Sequence, residues 1–325
     1  SRWPGGCGGA SLPHLRNAVY NPLIAAENLL DQYEGRGWQA DQQPWVEIAA
    51  EDYNLDGRQE VRLASNKLTA LVAPAEGGQL YELDARTICH NLGATLARRP
   101  EAYHRAVLRG PSAAGGDVAS IHDRVVFKQD GLDQRLGYDP YQRNCLVDHF
   151  FAADVSHADV AAGRAQEFGD FLRAPFHAKL RRSDDRVQVQ LTREGRVFER
   201  PVKMTKGITL GMADATLEIA YYLENVPGDV GLHLCPEFNF AGLPSGADDR
   251  YFPAAAGNRL GQLGRQLDLQ GVTRIALVDE WLGVDAALDL SQPANVWTFP
   301  IATVSQSEGG FELVHQSSAV IPRWE

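Results

Sequence analysis

The chain has 325 residues, 44% of them hydrophobic, and a formal net charge of −11 from 31 basic and 42 acidic side chains. That length supports a large core and exceeds an average domain, so two structural units are expected, one of them dominant. The acidic balance argues against a nucleic-acid phosphate backbone or an anionic membrane surface as partner, because either would repel the chain, and favours a neutral ligand.

Four cysteines, Cys7, Cys89, Cys145 and Cys235, are scattered without CxxC spacing, the pattern of reduced packing thiols rather than a disulfide framework or a zinc site. No apolar run reaches the ~20 residues of a membrane span, and the first residues lack a secretion signal's basic and apolar regions, so a cytoplasmic protein is expected.

In chain order, Ser1 to Gly9 is loop-forming sequence rich in glycine. From Leu15 to Tyr33 the residues Val19, Leu23, Ala26 and Leu30 recur at helical spacing, and Gly35 and Gly37 close the run. Beyond Trp45 the texture changes to short β-branched and aromatic runs separated by turn residues. They are residues 60–64, 68–73, 79–83, 187–192, 207–210, 216–223, 230–240, 274–278, 284–290, 296–304 and 311–321. Runs such as Val187 to Leu191 alternate cleanly, which puts one face in a core and the other in water and implies antiparallel pairing in two stacked sheets. The expected fold is mainly β, a large antiparallel β-sandwich (residues 44–325) behind a loop and short N-terminal helical segment (residues 1–43). Residues 91–173 are less regular and rich in His, Asp, Arg and Tyr, as loops laid over a sheet would be.

Three groups of residues could carry chemistry. Asp52, Asn54 and Asp56 followed by Gly57 open like a calcium loop, but the twelfth position of that pattern is Leu63, leaving Glu60 to close the shell. A Ca2+ ion and a plain Asx-type hairpin turn both fit. Arg98 to His104 packs Arg99, Glu101, Tyr103 and His104 together, either to hydrogen-bond and stack on a sugar or as a salt-bridged surface helix. His122-Asp123 and Asp148-His149 each set an acid beside an imidazole. With Glu101, His104 and Glu237 they could form an acid/base cleft, or they could be buried polar groups tying loops to the sheet. Motifs for phosphate loops, nucleophile elbows and dinucleotide binding are absent.

The ordered set of segments resembles the carboxyl-terminal region of glycoside hydrolase family 57, the α-amylase and 4-α-glucanotransferase group. It is carried by Leu12-Pro13-His14-Leu15-Arg16 with Ala25-Ala26-Glu27, by Asp52 to Glu60, Pro74 to Gly78 and Arg98 to His104, and by Ser120 to Asp123. It continues through Tyr138 to Arg143, Asp148-His149-Phe150, Pro236 to Phe240, Trp297 to Pro300 and Pro322-Arg323-Trp324. The resemblance implies a sandwich of galactose-mutarotase-like type behind a catalytic barrel whose nucleophile and acid/base lie upstream of the matched region. It also implies an α-glucan or maltooligosaccharide ligand, no required cofactor, and association with a catalytic barrel or a homodimer. Trp3 stands where the family's last barrel motif should, with Pro4 in place of its histidine.

Three functions follow as expectations: an α-glucan-binding accessory sandwich, a hydrolase in its own right, or a structural and oligomerisation domain. The substrate-binding candidates are Trp3, His14, Arg99, Tyr103, His104, His122 and His149. The catalytic candidates are Glu101, Asp123, Asp148 and Glu237, and the metal candidates are Asp52, Asn54, Asp56 and Glu60. Trp3, Tyr103, Tyr138, Tyr141 and Trp281 lining one groove would favour sugar binding, and their burial a scaffold.

Overall fold

A computed structural model of the chain describes residues 12–36, 44–110, 126–254, 257–307 and 309–325. Helix α1 (Pro13–Tyr33) leads into a meander of β1 (Val46–Glu51), β2 (Glu60–Ser65), β3 (Leu68–Ala73), β4 (Gln79–Ala85) and β5 (His90–Asn91), paired in chain order. Short helix α2 (His104–Arg109), strand β6 (Val147–Ala152) and helix α3 (His157–Ala161) occupy the irregular middle. A second sheet joins β7 (His177–Arg182), β8 (Arg186–Val197), β9 (Arg200–Gly211) and β10 (Leu217–Glu224) as consecutive hairpins.

The third sheet is the largest. It runs β13 (Arg259–Gln262), β12 (Arg250–Pro253), β14 (Leu267–Asp279), β15 (Val284–Ser307), β16 (Gly310–Arg323), β11 (Leu232–Ala241) and then β6. Every pairing between these strands is antiparallel, as the alternating sequence pattern requires. One continuous core takes Ile48, Leu63 and Val72 from the first sheet, Val189, Leu191, Met204 and Ile208 from the second, and Phe238, Phe240 and Val296 from the third. A second cluster under α3 holds Phe151, Cys235, Trp297, Phe299 and Ile321, so the middle of the third sheet is covered on both faces. Each such side chain contributes roughly 1.5–3 kcal/mol on burial.

The helix is oriented in a way its spacing does not reveal. At ~100° per residue, Leu15, Val19, Leu23, Ala26 and Leu30 share one stripe, and that stripe faces outward: Val19, Leu23 and Leu30 are 59%, 58% and 65% exposed. The face turned to the first sheet carries Ile24, Asn28 and Asp31. Asn28 donates to the Arg86 carbonyl and accepts from Arg86 Nε, while the Arg86 guanidinium pairs with Asp31. Polar anchoring, rather than apolar packing, therefore holds α1 in place.

Two glycines fix the β3–β4 turn. Gly77 and Gly78 both have positive φ, and a Cβ on Gly77 would lie 2.4 Å from the Leu172 carbonyl oxygen, so the segment Pro74 to Gly78 can press against the neighbouring chain only with glycine there.

Candidate functional site

A cleft of about 300 Å³ opens on the outer face of the first sheet, between that sheet and α1. Arg16 and Tyr20 come from α1, and the β1–β2 hairpin supplies Asn54, Asp56, Arg58 and Glu60. The β3–β4 turn adds Ala75 and Glu76, β4 adds Tyr81, and the segment before β6 adds Gln142 and Asn144. The register of β3 against β4 slips between Leu71 and Val72, whose partners are Glu82 and Leu80. The extra residue, Tyr81, is thereby turned to the cleft side while Leu80 and Leu83 stay with the core.

Amide groups, guanidinium groups, carboxylates and two phenols line this small open cavity, so it presents hydrogen-bond donors, acceptors and ring faces together. Burial raises the Glu60 carboxyl above its usual range and pushes the Tyr20 phenol up to about 12, the charges of Glu82 and Asp84 adding to the latter. Burial also lowers the Arg16 guanidinium to about 10, and Arg16 Nε donates to the Ala94 carbonyl at 3.0 Å.

The calcium-like segment forms one wall of this cleft as a hydrogen-bonded hairpin. Asp52 accepts from the amides of Asp56 and Gly57, Asn54 Oδ1 from Asp56, and Glu60 from the amides of Tyr53 and Asn54 and from Asn54 Nδ2. Among the described residues, no group of three or more His, Cys, Asp or Glu side chains is arranged to hold a metal ion.

Behind the cleft lies a buried ionic network. Along 142–144 the chain alternates, Gln142 and Asn144 facing the cleft and Arg143 turned inward with a fully buried side chain. Arg143 Nη1 donates to both oxygens of Glu237 at 2.9 Å and Nε to Asp139 at 3.0 Å. Glu237 also accepts from the Tyr141 hydroxyl at 2.8 Å and from Asn239 Nδ2 at 2.6 Å, and Asn239 ties back to the Asn144 carbonyl. Burial opposes ionisation of Glu237, but Arg143 and His149 override it and hold its carboxyl far below the usual range. Burial would likewise depress His149, yet Glu167 at 2.8 Å and Glu237 at 3.4 Å raise it to about 9.

Among the described residues, the members of the acid/base cleft expected from sequence stand apart. Asp148 and His149 point to opposite sides of β6, as strand alternation demands: Asp148 is enclosed with Lys206 and the Tyr221 hydroxyl, at 2.8 and 2.6 Å, and His149 joins the Glu237 network. Glu101 lies elsewhere, paired with Arg99 at 3.2 Å on the surface. His104 is buried against the Val304 carbonyl and the Tyr138 hydroxyl, and the Tyr103 hydroxyl donates to the same carbonyl. These three rings form a small structural knot over α2. Asp148, His149 and Glu237 cannot meet a substrate where they stand, because each is at most 2% exposed. His14 is exposed on α1. Trp3, His122 and Asp123 lie outside the described residues. The candidate aromatics are also dispersed: Tyr103 and Tyr138 flank His104, Tyr141 packs on His149, and Trp281 stands on a hairpin of the third sheet.

Asn54, Asp56 and Glu60, singled out in the sequence as metal candidates, line this cleft, whereas Tyr20, Tyr81 and Asn144 were not singled out in the sequence. The only signal for Tyr81 is the pair Glu82 and Asp84 in a strand otherwise apolar, which marks an outer face that is not simple core.

The fold is that of a mainly antiparallel β protein with a polar cleft between its lead-in helix and its first sheet, and its sequence has a clear family. The family model described as Alpha-amylase/4-alpha-glucanotransferase, C-terminal, matches residues 52–325, and the chain belongs to that family. It is 29% identical over 325 residues to Alpha-amylase 1 of Dictyoglomus thermophilum, covering 98% of this chain and 44% of that relative. It is 28% identical over 316 residues to a 4-alpha-glucanotransferase of Thermococcus kodakarensis, covering 97% and 42%. The crystal structure of 4-alpha-glucanotransferase from Thermococcus litoralis superposes with a TM-score of 0.74 at 25% identity, covering 99% of this chain and 44% of that one. The chain thus spans less than half the length of these relatives and corresponds to their carboxyl-terminal part.

Proposed function

We propose that this chain is an α-glucan-binding accessory unit that works with a catalytic part supplied outside the matched region. The cleft between α1 and the first sheet carries this reading, since Tyr20 and Tyr81 give it ring faces and Asn54, Arg58, Gln142 and Asn144 give it donors and acceptors at its mouth. Truncation of Tyr81 to alanine removes a stacking face and is expected to weaken maltooligosaccharide binding about tenfold, or about 1.4 kcal/mol. Isothermal titration of wild type and variant with maltoheptaose reads this directly. Equal affinity in the two would remove the cleft from the binding surface.

The outward stripe of α1 supports the partnership. An apolar stripe on an exposed helix marks an interaction surface, and it sits at the end of the chain towards which the uncovered part of the relatives extends. A catalytic barrel is the occupant we propose. Leu23→Lys with Leu30→Lys should leave the fold intact and abolish co-purification with the amino-terminal part of a family relative. Retained co-purification would mean the stripe is not the docking face. The half-buried Cys89 and buried Cys145 and Cys235, all unpaired, support a reducing compartment such as the cytoplasm. Hydrolysis by Glu101, Asp123, Asp148 and Glu237 has less support: Asp148 and Glu237 are sealed from solvent, Glu101 is paired with Arg99 on the surface, and Asp123 lies outside the described residues.

A further inference from the structure

We infer that a second sugar-binding surface, separate from the cleft, stands at the tip of the β14–β15 hairpin, where Trp281 follows Glu280, the residue that ties Tyr251 and Arg259 to the turn. It rests on the proposed α-glucan reading and extends it to long chains. Trp281 is 80% exposed, a cost in water for so large an apolar ring that a floppy loop could reduce by folding it inward. This hairpin is not a floppy loop. Asp279, fully buried, accepts the Leu282 amide at 3.0 Å and Arg250 Nε at 3.0 Å, and the Glu280 amide is held by the Asp249 carbonyl at 3.0 Å. These bonds hold the turn's backbone, and its indole stands 80% exposed.

Beside it, planar polar groups are already oriented. The Arg259 guanidinium lies 3.8 Å over the Tyr251 ring, and Arg259 Nη2 and the Tyr251 hydroxyl both donate to Glu280 Oε1, at 3.0 and 2.9 Å. Because both bonds go to Oε1, Oε2 is the acceptor a sugar hydroxyl would use. An exposed aromatic face one residue along the chain from a fixed Arg–carboxylate plane is the chemistry that recognises a pyranose: the ring's C–H face stacks on indole and hydroxyls meet the planar groups. A surface of this kind is open rather than enclosed, so it suits a long α-glucan held at several points more than a short oligosaccharide gripped at one.

The test compares wild type, Trp281→Ala, Trp281→Phe and Tyr81→Ala by retention on an amylose affinity gel and by titration with maltotriose, with thermal midpoints as the folding control. Trp281→Ala should reduce amylose retention about fivefold, leave maltotriose affinity and the midpoint unchanged, and recover part of the retention as Trp281→Phe. If Trp281→Ala is retained like wild type while Tyr81→Ala is not, the hairpin surface is overturned and the cleft reading stands. If wild type itself neither binds maltotriose nor is retained, both readings fall together.

Discussion

Glu237→Gln is expected to destabilise the fold by about 3–5 kcal/mol, the cost of leaving buried cations uncompensated, and to lower the thermal midpoint by about 10 °C. Four hydrogen bonds from three donor atoms of Arg143, Tyr141 and Asn239 converge on this carboxylate, and His149 lies 3.4 Å away. Glutamine removes the charge and turns an amide NH2 towards groups that are themselves donors. Arg143 would keep Asp139, and His149 would keep Glu167, which limits the loss. Replacing Arg143 and Glu237 together with methionine should cost less than Glu237→Gln alone, because no buried charge is then stranded at that pair. Urea midpoints for the two variants decide it. A single-variant loss below about 1 kcal/mol would show that the network is not what clamps the 139–149 segment to β11.

Stability should also fall from neutral to alkaline pH, and Asp84→Asn should remove much of that slope. Glu82 and Asp84 project from the outer face of β4 beneath α1 and hydrogen-bond to each other, with Glu27 and Tyr20 of α1, Arg62 of β2 and Arg86 around them. Burial, reinforced by the charge on Glu82, raises the Asp84 carboxyl from 3.8 to about 9. A folded value above the unfolded one means that its contribution is complete below about pH 3.8 and is lost progressively up to about pH 9. His149, raised from 6.5 to about 9, tilts the curve the same way between those two values. Asparagine is neutral at every pH and can still donate to Glu82. The variant should therefore be more stable than wild type at pH 8.5 by about 1–3 kcal/mol and show the shallower dependence from pH 5 to 8.5. Parallel pH profiles for the two proteins would assign the slope elsewhere.

The β architecture was legible because β8, β9 and β10 alternate over most of their length between a more buried and a more exposed face, and that alternation is a local property of the residues. Strand β6 escaped notice because it is covered on both faces. Its Val147 to Phe151 run has no solvent face to mark, and its acid and imidazole are core residues satisfied from opposite sides. Strand β7, with two lysine or arginine residues following its Leu180, reads as loop because it is the exposed edge of its sheet. The candidate site was half legible. Asn54, Asp56 and Glu60 lie in a motif that stands out in one dimension, whereas Tyr81 reaches the cleft through a bulge whose position depends on pairing with β3. The orientation of α1 was not legible at all, since helical spacing marks an apolar face without saying which surface will cover it.

That inverted helix ties two events together. Tyr20 and Arg16 on one side of α1 line the cleft, while Val19, Leu23 and Leu30 on another form the outward stripe. A ligand that steadies α1 from the cleft steadies the stripe in the same movement, because a single helix of 21 residues carries both. Linkage then has a fixed consequence: by whatever factor a partner on the stripe tightens a ligand in the cleft, that ligand tightens the partner.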